Sequence, residues 1–232
     1  MRSRPRSYAH VAWCYDELAS WWSRGAIPRA KAVVARALEQ GDRVLFAGAG
    51  RGADALIAAS RGVRVTALDA EPAMLRRLEQ EQAARPSGRG GAVQCVCEDW
   101  FAYVPPRRYD AVVAAFALNV FAGEELDHAL DVLTGWLRPG GHVWIVDFAP
   151  PARAFAARLR GGLHYWPVAL AARWLGLCRL HAIHDYAPRL VERGFDLKEQ
   201  HDAGPYRVWG AVLARPGARP SSAPQASPAG RQ

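Results

Sequence analysis

A doubly wound α/β fold is predicted by three features of this sequence. Short apolar strands alternate with helical stretches, a glycine turn follows the first strand directly, and the rhythm breaks only after Asp147. Strands read at 43–47, 63–68, 92–96, 109–115 and 142–148, with helices at 53–60, 73–84 and 124–137 between them. Such alternation implies right-handed crossovers and a parallel sheet covered on both faces. Ahead of the first strand, Val11, Cys14, Tyr15, Leu18 and Trp22 fall at helical spacing, and a second helix runs from Pro28 to Gln40 before Gly41. After Asp147, residues 149–186 hold a largely apolar helix starting near Pro167, and 185–194 forms one more helix. Strands at 195–201 and 206–214, joined by Gly204-Pro205, close the body as an antiparallel hairpin and bring the sheet to seven strands. The expected organisation is N-terminal helices over 1–42, a main domain over 43–214 with an apolar cap at 149–186, and a disordered tail over 215–232.

A chain of 232 residues, 50% hydrophobic and 22% charged, suits one domain with a sizeable core. No apolar run reaches the roughly 18 residues of a spanning helix. Arg2, Arg4 and Arg6 are followed by an apolar stretch that Asp16 and Glu17 interrupt, so no secretory signal is read and the cytoplasm is expected. The net charge of +8 is concentrated at the ends: Arg2, Arg4 and Arg6 at one, Arg215, Arg219 and Arg231 at the other, leaving a nearly balanced body. No nucleic-acid partner is expected. Cys14, Cys95, Cys97 and Cys178 are too scattered for a disulfide framework. Neither Cys95-x-Cys97 nor His181-x-x-His184 has the further ligands of a metal site, so no metal is expected.

The chemistry concentrates at strand ends. Gly48-Ala49-Gly50-Arg51-Gly52 joins the first strand to its helix, where glycines allow a tight turn and close approach of a ligand to the backbone amides. The pattern alone fits a dinucleotide turn as well as a G-x-G-x-G turn. Asp69 ends the second strand nineteen residues beyond Gly50, where a carboxylate accepts from both hydroxyls of a ribose. Asp99 follows the third strand beside Trp100, a carboxylate to read an adenine amino group and an aromatic to cover its face. Together these describe an adenosine site at the switch point of the sheet.

On these residues the chain resembles the class I S-adenosylmethionine-dependent methyltransferases over roughly 40–214. The resemblance is carried by Val44-Leu45-Phe46-Ala47-Gly48-Ala49-Gly50-Arg51-Gly52, Leu68-Asp69-Ala70-Glu71-Pro72, Glu98-Asp99, Tyr109-Asp110-Ala111-Val112-Val113 and, most specifically, Leu137-Arg138-Pro139-Gly140-Gly141. It implies a Rossmann-like sheet and S-adenosylmethionine as cofactor, with Gly48, Gly50 and Gly52 under its methionine part, Asp69 on the ribose, and Asp99 with Trp100 at the adenine. The family usually has an acid two residues before the first glycine, where this chain has Phe46. Phe116-Ala117-Leu118-Asn119-Val120 and Gly204-Pro205-Tyr206-Arg207-Val208 are similar to the ubiquinone/menaquinone-type small-molecule enzymes.

Methyl transfer from a sulfonium is an in-line displacement in which alignment is the main requirement, so no invariant catalytic residue is implied. The cap offers His164, Tyr165, Trp166, Trp174, His181, His184 and Tyr186 without a cluster of acids or lysines. A small, largely apolar or aromatic acceptor is therefore expected, quinone-like or natural-product-like. Where the acceptor must lose a proton, His184 is the first candidate base, beside Asp185-Tyr186 at the junction of cap and sheet, with His164 and Tyr165 as alternatives. The apolar stretch 165–178 is too short to span a bilayer but suits a pocket lid or transient contact with a membrane surface. A phospholipid head-group N-methyltransferase and a non-catalytic S-adenosylmethionine-binding regulator are the competing readings.

Overall fold

In a computed structural model, residues 25–85, 91–150, 183–203 and 205–215 are described. The helix expected over 11–22, most of the cap and the tail after Arg215 lie outside them. The described chain runs α1 (Ala26–Ala37), β1 (Arg43–Ala47), α2 (Ala53–Ser60), β2 (Arg64–Asp69), α3 (Pro72–Ala83), β3 (Val93–Cys97), β4 (Tyr109–Ala115), a short 3-10 turn (Leu118–Val120), α4 (Glu124–Trp136), β5 (Leu137–Phe148), α5 (Tyr186–Glu192), β6 (Phe195–Ala203) and β7 (Tyr206–Leu213). The strands form one sheet in the order β3-β2-β1-β4-β5-β7-β6. The first five are parallel, and β7 lies antiparallel between β5 and β6. The expected fold class is observed.

Alternation along the strands divides the core between two faces. Val44 and Phe46 of β1, Ala111 and Val113 of β4, and Trp144 and Val146 of β5 point to the face covered by α1, α2 and α3. Leu45, Val112, Val143 and Ile145 point to the face covered by α4 and α5. Leu45, Leu126, Leu130, Leu133 and Ile145 are fully buried there, and each contributes about 1.5–3 kcal/mol relative to an exposed side chain. Short α5 is further clasped to α4, with Arg189 bonded to Asp127 and Arg193 reaching both Asp127 (3.1 Å) and Asp131 (2.7 Å).

Several boundaries differ from the sequence reading for identifiable reasons. Strand β5 begins at Leu137 rather than His142, because Leu137 pairs with Tyr109 before a register shift between Tyr109 and Ala111. Gly140, at φ 79°, lets the chain turn inside this stretch. Helix α1 stops at Ala37, where Leu38 turns extended and buries its side chain against the sheet. Strand β6 continues to Ala203, which pairs with Tyr206 across the hairpin.

Gly210 of β7 lies opposite Trp144 of β5, and a Cβ placed on it would stand 2.5 Å from the indole ring. That spacing excludes even alanine unless the ring moves. We expect Gly210→Ala to destabilise the protein by about 1–3 kcal/mol in urea titrations through overpacking. Trp144→Leu in the same chain should recover part of that loss, and additive losses would remove the steric cause.

Candidate active site

The strand order reverses between β1 and β4, and in a parallel sheet a crevice opens there at the C-terminal ends of the strands. Two turns border it. The turn after β1 holds Gly48, Gly50 and Gly52 at φ 67°, 57° and 65°, all in the left-handed region that side chains disfavour. The three glycines meet different surroundings. A Cβ on Gly48 would lie 2.5 Å from the Cβ of Ala117 in the turn after β4, and one on Gly52 would lie 2.0 Å from Leu78 Cδ1 of α3. A Cβ on Gly50 would meet nothing within 4 Å. Gly48 and Gly52 are therefore required by packing, whereas Gly50 faces open space.

Asp69 closes the turn from below. Its Oδ2 accepts the Gly50 N–H at 2.8 Å and its Oδ1 the Glu71 N–H at 2.9 Å, while the Ala49 N–H donates to the Leu68 carbonyl at 3.0 Å. One carboxylate thus ties the end of β2 to the turn after β1. Burial pushes the Asp69 carboxyl above the ordinary carboxylate range, and the two amide donors only partly offset it. Each carboxylate oxygen has a second lone pair, so both can take a further donor.

Asp99 is exposed on the loop after β3, and its Oδ1 accepts the Phe101 N–H at 2.9 Å. Trp100 takes a different place from the one read in the sequence. Only 8% exposed, it packs edge-on to Phe121 and against Trp136, and its indole N–H donates to the Ala129 carbonyl at 3.2 Å. Its ring is core. Phe101, half-buried, is the aromatic of this loop nearer solvent, stacked at 4.8 Å on the exposed His128. Phe46 is also core, buried beneath α1 and α2.

On the far side of the crevice the structure brings together residues from the segment after β4, the end of β5 and the start of α5. Asp147, the penultimate residue of β5, is only 3% exposed. Its Oδ1 accepts from Asn119 Nδ2 at 3.2 Å and from the Phe148 N–H at 2.8 Å, and its Oδ2 accepts from the fully buried Tyr186 hydroxyl at 2.7 Å. His184, two residues earlier, lies 3.0 Å through Nε2 from the Phe121 carbonyl. A carbonyl only accepts, so Nε2 carries the hydrogen and Nδ1 is the basic nitrogen of the neutral ring. His164 and Tyr165 lie outside the described residues. Phe116, at φ 58°, is the single non-glycine residue at positive φ among the described residues, held by its N–H to the Val146 carbonyl at 2.8 Å. Its ring stands edge-on to Phe148 and Tyr206.

Residues 44–141 match the family profile described as a methyltransferase domain. This match spans β1 to the start of β5 and so contains both bordering turns. Over this stretch, less than half of the chain, the protein is similar to methyltransferase domains. Its fold is shared with solved methyltransferases of low sequence identity. The magnesium protoporphyrin IX methyltransferase of Synechocystis is 19% identical at a TM-score of 0.57, over 83% of this chain and 79% of that one. The N-methyltransferase NodS of Bradyrhizobium japonicum is 15% identical at 0.58, over 84% and 97%. An O-methyltransferase family protein of Burkholderia thailandensis is 14% identical at 0.66, over 88% and 60%. No curated protein matches the chain in sequence.

The Tyr186 hydroxyl anchors α5 to the buried Asp147 carboxylate at the end of the sheet that borders the crevice. Tyr186→Phe should cost about 1.5–3 kcal/mol of unfolding free energy, the range for a hydrogen bond to a charged group. A change under 0.5 kcal/mol in denaturant titrations would show that the bond carries no net stability.

Proposed function

We propose that the protein holds S-adenosylmethionine across the turn 48–52, Asp69 and Asp99, and transfers its methyl group to a small, largely apolar or aromatic acceptor, quinone-like or natural-product-like. The observation that carries this reading is the pairing of Gly50 with Asp69. The open Cβ position of Gly50 is the place where a ligand can reach the backbone, and the carboxylate bonded to that same residue has lone pairs for two ribose hydroxyls. The residues present therefore fit the cofactor. When bound, S-adenosylmethionine supplies an electrophilic methyl on a cationic sulfur. The protein's contribution is to bind and orient: Gly48 and Gly52 hold the turn in shape under the methionine part, Gly50 allows close approach, Asp69 fixes the ribose, and the exposed Asp99 meets the adenine amino group.

On the acceptor side, the half-buried Phe116 and Phe148 rings, backed by the buried ring of Tyr206, form an apolar aromatic patch at the crevice ends of β4 and β5. Edge-on rings of this kind suit a flat apolar partner. A bulky residue held at positive φ is strained, and such strain collects at functional sites. Where the acceptor carries a phenol or enol, His184 Nδ1 takes its proton, with the ring fixed by the Phe121 carbonyl. His164 and Tyr165 remain the alternative bases.

The direct test is transfer of a labelled methyl group from S-adenosylmethionine to a panel of phenols, naphthols and hydroquinones, with RNA and bulk protein as contrasting acceptors. Labelling confined to uncharged aromatic acceptors supports the reading, and labelling of RNA or protein alone overturns it. By calorimetry, Asp69→Asn should weaken cofactor binding about tenfold to a hundredfold, because charge-assisted bonds give way to neutral ones about half as strong.

The pH dependence has a definite sign. Ribose hydroxyls donate to the ionised carboxylate, so wild-type affinity should be full above the raised Asp69 pKa and fall as pH drops through it. Asp69→Asn should lose that dependence. An unchanged acid limb in the variant would assign the titration to another group.

A further inference from the structure

Opposite the crevice, at the N-terminal ends of the strands, arginines gather. Arg43 opens β1, Arg64 opens β2, Arg107 and Arg108 precede β4, Arg138 lies at the start of β5 and Arg215 follows β7. Several are braced on backbone. Arg43 donates through Nη1 to the Arg108 carbonyl at 3.1 Å and through Nη2 to the Arg107 carbonyl at 3.4 Å, and Arg108 Nη1 donates to the Leu137 carbonyl at 3.3 Å. Arg138 and Arg215 converge on Gly140, where a Cβ would stand 3.7 Å from Arg138 Nη1 and 2.9 Å from Arg215 Nε. The acids at this end of the strands are Glu39, Asp42 and Asp110, with Asp196 at the start of β6. Asp42 is engaged by the Glu39 N–H at 3.2 Å, and Asp110 pairs with Arg138 Nε at 2.5 Å while accepting the Arg43 N–H at 2.8 Å. Six arginines thus meet four carboxylates. Helix-end preference for cations does not place these six, because they open strands or sit in loops.

The loop that carries Arg107 and Arg108 has an apolar tip. Val104 is 82% exposed, against 54% for Val191 and 49% for Ile57, the other exposed large apolar side chains among the described residues. Pro105 and Pro106 follow it. The loop is pinned at both ends, since Tyr103 and Tyr109 are buried and their hydroxyls share a hydrogen bond at 2.6 Å. An apolar tip on a fixed loop, ringed by guanidiniums, is the pattern of a surface that sinks shallowly into a headgroup layer while its cations meet lipid phosphates. A nucleic-acid backbone offers the same charge but no apolar layer to receive Val104 and the two prolines.

We propose that the loop 104–108 and the arginines around it form a docking surface for an anionic lipid bilayer. Docked this way, the crevice at the opposite strand ends faces water. The proposal uses no residue of 165–178 and does not depend on the reading of the methyl acceptor. Among the described residues no helix is long and apolar enough to cross a membrane, so the contact is peripheral.

The test is co-sedimentation of the full chain with vesicles of phosphatidylglycerol and phosphatidylcholine, against phosphatidylcholine alone and against duplex DNA in solution. The expected result is binding to the anionic vesicles that falls with added salt, and little to the neutral ones. Arg107→Gln with Arg108→Gln should lower partitioning about 25-fold, roughly fivefold for each arginine near an anionic surface. Val104→Ser should lower it severalfold without a change of charge. All these positions are exposed, and unchanged melting curves and S-adenosylmethionine binding would confirm that each variant is folded. No binding of wild type to anionic vesicles overturns the proposal, as does binding by both variants equal to wild type. Tighter binding to duplex DNA than to vesicles, unaffected by Val104→Ser, would overturn it in favour of nucleic acid.

Discussion

The carboxylate of Asp69 is the constraint on which the rest of the site depends. It is bonded to Gly50 on one side and Glu71 on the other, so the end of β2, the turn after β1 and the start of α3 move as one unit. The geometry reaches further through contacts that tolerate no side chain. Gly48 lies against Ala117, so the turn after β4 rests on the turn after β1, and Gly52 lies against Leu78, so α3 does too. A displacement of Asp69 would therefore be felt in the aromatic patch at Phe116, one residue from Ala117. Preorganisation of this kind suits in-line methyl transfer, where alignment of two reactants supplies most of the rate.

Much of the architecture was legible because local signals agreed with the global fold. Strand-turn-helix punctuation at Gly48–Gly52, Pro72 at the first turn of α3 and the alternation from β1 to β5 all point to one sheet. What was less legible lay in register and direction. Nothing in Arg138-Pro139-Gly140-Gly141 indicates that Leu137 already pairs with Tyr109, because that pairing depends on a register shift in a partner strand. The place of Trp100 after Asp99 predicts a ligand-facing ring. The turn capped by Asp99 instead directs the indole into α4, where the Ala129 carbonyl satisfies its N–H.

The cofactor side of the candidate site was easier to read than the acceptor side. Glycines and a strand-terminal acid are local features, whereas the Asp147, Asn119 and Tyr186 cluster joins three segments up to 67 residues apart. A signal for Asp147 was nevertheless present. It ends the apolar run Trp144-Ile145-Val146 as Asp69 ends Val65-Thr66-Ala67-Leu68, and a buried strand that stops at an acid marks the same edge of the sheet in both cases. Phe116 could not have been found this way, since its positive φ is imposed by the Val146 carbonyl and its neighbouring rings.

The two edges of the sheet carry different chemistry, acids at the crevice and arginines at the far end, and the crevice is where the cofactor is expected. The most direct measurement is a crystal structure of the protein grown with S-adenosylhomocysteine, the demethylated product. The ribose hydroxyls should lie within hydrogen-bond distance of both Asp69 oxygens, with the Gly50 N–H still on Oδ2 and the ligand passing over Gly50. A product seated elsewhere, or absent from this crevice at saturating concentration, would contradict the assignment of the turn and of Asp69.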